Sequence, residues 1–555
     1  CDTIPGIRFI DSLKYNIHID PVKDKGLNKI TVTIDPGNAI EELYENNNSI
    51  TKDIFIFEDE LRPVFPYSYA IINKQGIKFS ASTANPLAPS RNYLFEIDTT
   101  ELFNSPLKIS QTKTSTGGLL EFSPSITFRD STVYYWRVAS APAANEQPKW
   151  NPSSFIYING PEVGFNQSHY YQKADNNYYQ MKLDSVSRSL SFNKRLSSLI
   201  VRSGVWATGI SQEAQLTVEA NDQVFAASAC GFNIIFNILD GKSFQPWQNI
   251  PQPNGMGLYN SNPSFCAPSR YPNFEFTNNP EGRNRAYLFL KQLPVGTYVV
   301  MRPLFNGTVY NQIAQDWKND QATYGIGNTL YDELVEQGLN TIDSLNKNMA
   351  LIFFYKKDQK EEYVPKILFG QGPSDAIVLS TTAPSYLDSG IVVSQTFGPA
   401  KQWKTFKYDG FSLENAVTDN VYFDIIGITT DGTETVVKQG YQMSSKEYDI
   451  SSISAAQYPY LKLIMRCTDK TNFTPYQLDY WRLYYSPVPE GAIAPNIYFA
   501  YKDTLDVGEP LNLGVAFKNV SEYNFSDSLK VKITVHDKNN NENIIHVPRQ
   551  KILIA

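Results

Sequence analysis

Cysteine and histidine are the residues from which this chain could build a nucleophilic site, and it has few of either. Its 555 residues include four of each type, namely Cys1, Cys230, Cys266, Cys467, His18, His169, His536 and His546. A cysteine nucleophile needs an imidazole beside it to lower the thiol pKa and carry the proton. His18 and His536 lie in strand-like segments that favour a structural role, and a serine triad meets the same shortage of bases. We therefore predict no catalytic site.

The spacing of metal ligands and glycines argues against a bound cofactor. The chain has neither a C-x-x-C pair nor a cluster of histidines, so zinc is not expected. Gly325 and Gly327 lack the third glycine and the strand-to-helix setting of a phosphate loop. We predict no metal and no cofactor.

Aromatic side chains are the more credible binding residues. The chain has 35 Tyr, 32 Phe and 7 Trp, and aromatic faces on a jelly roll can stack on sugars. We select Trp247, Trp403, Tyr480 and Trp481 as candidates for contact with a glycan. Core packing is the stronger alternative, because successive residues on a strand face opposite sides of the sheet.

Cys230 and Cys266 form a candidate disulfide. In an oxidising compartment they could pair, but two buried free thiols are an equally good interpretation. Cys467 has no obvious partner and is predicted to be a small core residue.

Composition indicates several mainly β domains. A chain of this length corresponds to about three to five domains, and its abundant aromatic and β-branched residues favour strands. The formal charge of −7 argues against a nucleic-acid partner, which would require a basic face. No apolar stretch approaches the ~20 residues needed to cross a bilayer, so no transmembrane segment is predicted.

Strand and helix patterns divide the chain into five units. We predict a string of immunoglobulin-like and jelly-roll β-sandwiches with one inserted α/β domain. The sandwich units are residues 1–58, 61–160, 161–200 together with 365–487, and 496–555, and the inserted domain is 201–360. Within the insertion, helices are expected near residues 283–293 and 328–346.

The two terminal units resemble halves of a CARDB-type adhesion module. Residues 35–48 resemble its closing half, and residues 507–519 with 529–536 resemble its opening half. Since half a sandwich cannot cover its inner face, we expect the chain to be a piece of a longer protein.

The units between them resemble three other modules. Residues 132–139 resemble the penultimate strand of fibronectin type III-like domains, and residues 377–485 resemble galactose-binding-like jelly rolls. Residues 231–247, 286–301 and 330–355 resemble the interleukin-like EMT inducer (ILEI) domain.

Three groups of segments together resemble a family. They are residues 60–70 with 80–86, residues 91–105 with 130–138, and residues 474–496. They are similar to the multi-domain surface proteins of Bacteroidota described as type IX secretion system sortase-like, or gingipain-like. In that family a gingipain-type cysteine peptidase domain lies outside the sandwich modules, and its histidine directly precedes a glycine. None of the four histidines of this chain does so.

The resemblance implies a secreted, outer-membrane or cell-surface location. We expect a non-catalytic scaffold that positions a gingipain-like peptidase and contacts envelope proteins of the type IX secretion pathway or surface glycans. Two alternatives stay open. The chain could belong to an active gingipain-like cysteine peptidase or sortase whose catalytic domain lies elsewhere, or it could be an adhesin that binds glycans.

The pair Asp-Ser or Asp-Thr followed by an aliphatic residue or Thr recurs along the chain. It resembles the O-glycosylation acceptor of Bacteroidota envelope proteins. The candidate attachment sites are Thr3, Ser12, Thr99, Ser131, Ser185, Ser344, Thr504 and Ser528. Ordinary turns and strand edges would also favour these pairs.

Overall fold

The computed structural model is mainly β, with 44% strand and 9% helix, which confirms the predicted fold class. It describes residues 14–15, 17, 26–37, 39–40, 42, 47–56, 60–143, 145–212, 215–227, 231–262, 271–307, 311–442, 445–548 and 552–554. Among these residues, none of the helices has both the length and the apolar character needed to cross a bilayer.

An N-terminal hairpin precedes the first sandwich. It pairs β1 (Gly26–Thr33) with β2 (Ser49–Ile56) in an antiparallel ladder. Its apolar residues Leu27 and Ile50 are both about 70% exposed, so the hairpin covers no core of its own.

The first sandwich packs two sheets around an aromatic core. Its strands are β3 (Leu61–Phe65), β4 (Ala70–Ile72), β5 (Phe79–Thr83), β6 (Arg91–Asp98), β7 (Ile109–Ser115), β8 (Leu119–Phe122), β9 (Thr132–Ser140) and β10 (Asn151–Tyr157). One sheet has the order β3-β5-β8, and the other contains β4-β10-β9-β6-β7. The Trp136 ring is buried at 5.2 Å from Phe79 and 6.0 Å from Phe95, as expected for an inward residue of a strand.

A short stretch then opens the jelly roll. It comprises β11 (Gly164–Gln167), α1 (Tyr170–Ala174), β12 (Asn177–Tyr179), β13 (Met181–Leu183) and β14 (Leu190–Phe192).

The inserted domain follows. Its elements are β15 (Lys194–Gly204), β16 (Thr217–Ala220), β17 (Gln223–Ala227), β18 (Asn233–Leu239), β19 (Asn273–Thr277), α2 (Pro280–Gln292), β20 (Tyr298–Pro303), α3 (Ile313–Asn319), α4 (Gln321–Tyr324), α5 (Leu330–Glu336), β21 (Leu351–Lys356), β22 (Lys366–Phe369) and β23 (Ala376–Tyr386). The five-stranded antiparallel sheet β19-β18-β20-β21-β22 lies between the helices and the four-stranded sheet β17-β16-β15-β23.

The central strands of the insertion are mostly apolar because both of their faces are buried. Along β21, Leu351 and Phe353 pack toward the helices, while Ile352 and Phe354 pack toward the second sheet. Near the helices, Arg283 and Asp320 form a buried ion pair, with Nε to Oδ2 at 2.6 Å.

The insertion begins and ends outside the predicted limits of 201 and 360. The strand β15 pairs with β23 from Lys194 opposite Tyr386 to Gly204 opposite Ala376. Both strands belong to the second sheet of the insertion, so the unit runs from 194 to 386. The predicted helix near 328–346 is also shorter, because α5 starts after the N-cap Thr329 and the chain turns at Gly338 with φ +108°.

The chain then completes the jelly roll. The returning strands are β24 (Ser389–Val393), β25 (Ala400–Phe411), β26 (Asn420–Ile428), β27 (Glu434–Gln442), β28 (Glu447–Asp449), β29 (Tyr460–Thr468) and β30 (Gln477–Pro487). One sheet has the order β12-β24-β29-β26-β27. The opposite sheet contains β28-β25-β30-β11 and continues through β4 into the first sandwich, making nine strands in all.

The C-terminal unit consists of short strands, and its first part contacts the first sandwich. They are β31 (Gly491–Ile493), β32 (Phe499–Ala500), β33 (Gly514–Val515), β34 (Phe517–Asn519), β35 (Val531–His536) and β36 (Glu542–Val547). The Asn496 amide donates to the Leu119 carbonyl at 2.8 Å and its oxygen accepts from the Leu119 N–H at 3.0 Å. Lys518 pairs with Glu121 at 2.7 Å.

Candidate functional site

The junction of the two sandwiches is built on β11, which pairs with a strand on each side. Gly164 to Gln167 face Tyr484 to Trp481 of β30, and Gly164 and Phe165 face Ile71 and Ala70 of β4. A Cβ at Gly164 would lie 2.0 Å from the Leu483 carbonyl oxygen, so the close approach requires glycine. The two sandwiches therefore share one hydrogen-bonded sheet.

Aromatic rings fill the junction. The Phe165 ring stacks on Tyr485 at 4.9 Å and on Phe397 at 5.3 Å, and it meets the Tyr67 ring at 5.0 Å. The Tyr67 and Tyr485 hydroxyls form a hydrogen bond. Burial, with Tyr523 nearby, raises the pKa of Tyr67 well above its ordinary value. Since these rings come from both sandwiches, their packing stabilises one fixed orientation.

Two buried amides reinforce the ladder. The Trp481 indole donates to Gln167 Oε1 at 2.7 Å, and Arg482 Nε donates to Asn166 Oδ1 at 2.8 Å. Both amide residues have no exposed surface. Because a buried polar group left without a partner is costly, these contacts specify the pairing of β11 with β30.

A small polar cleft of about 140 Å³ lies beside the ladder, between the two sandwiches. The Tyr69 hydroxyl donates to Asp175 at 2.6 Å, and the Tyr135 hydroxyl lies 2.8 Å from His169 Nδ1. Burial and the Asp175 charge raise the pKa of Glu101. Burial lowers the pKa of His169, and two nearby cations lower it further.

Tyr69 adopts φ +67° at this cleft, which is uncommon for a bulky residue. Its N–H donates to the Ser154 carbonyl at 2.6 Å, and its carbonyl accepts from the Asn166 N–H at 2.7 Å. The two sandwiches therefore hold this residue from opposite sides.

The described residues hold no thiolate poised for catalysis. Cys467 is 1% exposed, and burial raises its pKa to about 12. Its sulfur accepts from the Tyr476 N–H at 3.2 Å and lies 4.0 Å from Asp419 Oδ1. A protonated thiol beside a carboxylate lacks the imidazole that nucleophilic chemistry requires. Cys1, Cys230, Cys266 and His18 lie outside the described residues, and so does the candidate disulfide.

Metal ligands are not brought together either. Within the described ranges, no group of three or more His, Cys, Asp or Glu side chains could hold an ion.

The structure places the predicted glycan-contacting aromatics in different environments. Trp403 and Trp481 have no exposed surface, and the Trp403 indole donates to the Tyr458 carbonyl at 2.9 Å. No ring face of either tryptophan is open to a ligand, because both lie in the jelly-roll core. Tyr480 is half-buried with the Arg482 guanidinium 4.0 Å above its ring, and Trp247 is half-buried against Tyr259 at 6.3 Å.

Most described O-glycosylation candidates lie on the surface. Ser131, Ser185, Ser344 and Thr504 are exposed, Thr99 and Ser528 are half-buried, and Thr3 and Ser12 lie outside the described residues. The aspartate before them is often part of a turn. Asp98 accepts from the Thr99 N–H at 2.6 Å, and Asp527 accepts from the Ser528 N–H at 2.7 Å. Local capping alone therefore favours these pairs at several positions.

Sequence analysis did not identify the buried polar residues at the junction and in the segment that follows α1. Asn166, Gln167 and Asn176 are buried amides within a polar stretch. The alternation of β30, with Trp481, Leu483 and Tyr485 on one face, is a signal that identifies one partner of β11.

Comparisons with known proteins provide no relative. No protein-family model and no curated protein matches the chain. Among solved structures, an α-L-rhamnosidase from Aspergillus terreus matches with 8% identity and a TM-score of 0.14, covering 80% of this chain and 50% of that one. The chain thus spans about half the length of that protein. An infectious bursal disease virus (Gx strain) structure matches with 8% identity and a TM-score of 0.10, covering 58% of this chain and 69% of that one.

Proposed function

We propose that this chain is a non-catalytic scaffold of a large secreted or cell-surface protein linked to type IX secretion. It positions a gingipain-like peptidase domain and contacts envelope proteins or glycans. The single observation that supports this role best is the nine-stranded sheet that runs from the first sandwich through β11 into the jelly roll. A scaffold must hold its parts at a fixed spacing, and a continuous ladder resists bending more than a flexible linker does.

The surroundings of Cys467 and His169 support a binding role rather than a catalytic one. Cys467 is buried with a raised pKa, and His169 is engaged by the Tyr135 hydroxyl. In the described part of the chain, neither group is placed beside the other partner that a cysteine peptidase needs.

The scaffold role is tested in the parent protein by comparing Gly164→Val with Gly160→Val. A Cβ at Gly160 meets no atom within 4 Å, whereas one at Gly164 collides with β30. We expect Gly164→Val to reduce surface delivery or processing by the parent protein while Gly160→Val leaves it unchanged. The scaffold role is rejected if both variants deliver or process equally well although β11 is shown to be separated from β30 in Gly164→Val.

The absence of intrinsic catalysis is tested with the isolated chain. We expect no peptide turnover that depends on Cys467 or His169. Turnover abolished by Cys467→Ala or His169→Ala would assign the chain to the peptidase alternative.

A further inference from the structure

A second pocket of about 200 Å³ opens on the jelly roll, and like the junction cleft it is lined in part by α1. Helix α1 and the segment after it contribute Lys173 and Asn176, the β13–β14 hairpin contributes Arg188, and the sheet contributes Phe411 and Asp479. These residues come from four separate stretches of the chain, and neither the peptidase question nor the scaffold role uses them.

Asn176 is the feature of this pocket that points to a ligand. The residue is 6% exposed, and its amide oxygen has no hydrogen-bond partner. The neighbouring Tyr178 hydroxyl donates to the Lys173 carbonyl at 2.7 Å, and its oxygen faces the Asn176 amide nitrogen. Buried amides in native proteins are nearly always paired, and each exception calls for an explanation. A ligand group that donates a hydrogen bond would satisfy the amide oxygen.

The charged groups around Asn176 supply donors and an acceptor. Lys173 Nζ donates to the Leu478 carbonyl at 2.8 Å, and the Arg188 guanidinium lies 5.4 Å from the Tyr170 ring centroid. Asp479 lies near Lys173 and stabilises its charge. Two cations and one carboxylate leave the pocket nearly balanced, which disfavours a multiply charged phosphate.

The rim of the pocket is apolar. Phe411 and Leu413 are 51% and 52% exposed, next to the polar floor. An aromatic ring at the edge of a polar pocket provides a surface for the C–H face of a sugar ring.

The walls are held in place before any ligand arrives. The Gln477 amide oxygen accepts from the Leu190 N–H at 2.7 Å, and its nitrogen donates to the Leu190 carbonyl at 3.1 Å. Asp184 closes the hairpin turn by accepting from the Val186 and Ser187 N–H groups at 3.0 and 2.9 Å. A preorganised pocket loses less free energy on binding.

We propose that this pocket binds a single sugar unit of a glycan, with Asn176 bridging ring hydroxyls, Lys173, Arg188 and Asp479 completing the polar contacts, and Phe411 covering an apolar face. Hydroxyls both donate and accept, which fits the unpartnered amide oxygen of Asn176 and the cations and carboxylate around it. The volume lies below the ~300–1,000 Å³ typical of drug-sized ligands, so the pocket suits one monosaccharide. The inference names one place at which the proposed scaffold would contact a glycan, and sugar binding there can be measured whether or not the scaffold positions a peptidase.

The experiment uses the whole chain and a panel of neutral and acidic monosaccharides at millimolar concentration, with binding followed by ligand-observed NMR and calorimetry. Phe411→Ser is compared with Phe232→Ser, since Phe232 is a similarly exposed aromatic, 48% exposed, on the inserted domain. We expect at least one sugar to bind, Phe411→Ser to weaken it about tenfold, and Phe232→Ser to leave it unchanged.

Asn176→Leu separates a ligand-binding role from a structural one. If the amide serves a ligand, the variant loses sugar binding while its melting temperature stays level or rises, because a buried amide with an unpartnered oxygen has been removed. The proposal is overturned if no sugar in the panel binds, if Phe411→Ser binds as tightly as the native chain, or if Asn176→Leu lowers the melting temperature and retains binding.

Discussion

The jelly roll is joined to its two neighbours in contrasting ways. Toward the first sandwich, β11 continues the sheet, and Phe165 stacks among rings from both sides. Toward the inserted domain, the chain crosses on the paired strands β15 and β23. Beside that crossing lies an open polar space of about 670 Å³ lined by Lys182, Asp184 and Tyr386, among others.

The two junctions differ in the interactions that oppose a change in the orientation of the units they join. At the first junction, bending would break ladder hydrogen bonds and expose buried aromatic surface, at about 25 cal/mol per Å². At the second, a contact that flanks the ladder is exposed to solvent, since Lys242 Nζ donates to the Asn472 carbonyl at 2.6 Å on the surface. We therefore expect the two sandwiches to move as one body and the insertion to unfold and reorient separately.

The largest expected effect on stability comes from removing a buried ion pair in the insertion. Asp320→Ala leaves the Arg283 guanidinium, itself 4% exposed, without its carboxylate. Losing one partner of a buried ion pair costs about 3–5 kcal/mol. Hydrogen exchange should lose protection across 280–357 while residues 61–160 keep theirs. Glu281→Ala, an exposed change in the same helix, should cost less than about 1 kcal/mol. Equal loss of protection in both regions would contradict independent units.

Gly164→Val tests the junction of the two sandwiches, where β11 pairs with β30. Its side chain would collide with the Leu483 carbonyl, and overpacking typically costs about 1–3 kcal/mol. Hydrogen exchange should increase in β4, β11 and β30 but not in the insertion. Gly160→Val is the matched control, and a change of the same size there would show that the ladder is not the cause.

A smaller effect of pH is expected at the junction. The His169 pKa lies below its ordinary 6.5 because of burial and the charges of Arg188 and Lys173. The unfolded chain then binds more protons than the folded one as pH falls below about 6.5, so stability decreases there. The Tyr135 hydroxyl also faces His169, and Glu101 and Asp175 lie across the cleft.

The raised pKa of Glu101 acts in the opposite direction, since it favours the folded state as acid is added. Comparing the native chain with His169→Gln by urea unfolding between about pH 7.5 and pH 5.5 isolates the histidine. The native chain should lose more stability than the variant, and parallel curves would show that His169 has no part.

The smallest effect concerns the exposed contact at the second junction. Lys242→Met removes the bond to the Asn472 carbonyl, and a surface change of this kind alters stability by less than about 0.5 kcal/mol. It should nevertheless broaden the distribution of distances measured between spin labels on the insertion and on the jelly roll. Lys149→Met, on the surface of the first sandwich, should change neither quantity.

Local sequence patterns predicted the strands better than their partners. The alternating β30 and the core position of Trp136 follow from side-chain periodicity. The pairing of β11 does not, because a strand of four residues finds a partner more than 300 positions away, where Gln167 meets Trp481. Register of that kind depends on tertiary packing.

The insertion boundary and the sugar pocket illustrate the same limit. Lys194 and Tyr386 begin and end the insertion only because their strands pair across the chain. Asn176 becomes notable only once it is known that its buried amide oxygen has no partner. The tryptophans Trp403 and Trp481 are core residues, the alternative that alternation favoured over contact with glycans.

The most direct test of the central claim is a pair of distance distributions from spin labels on the intact chain. Labels at Lys149 and Val417 span the two sandwiches, and labels at Val417 and Ile326 span the jelly roll and the insertion; all three residues are exposed. We predict a narrow distribution for the first pair and a broader one for the second. A first distribution as broad as the second would contradict the account of a single rigid body built on β11.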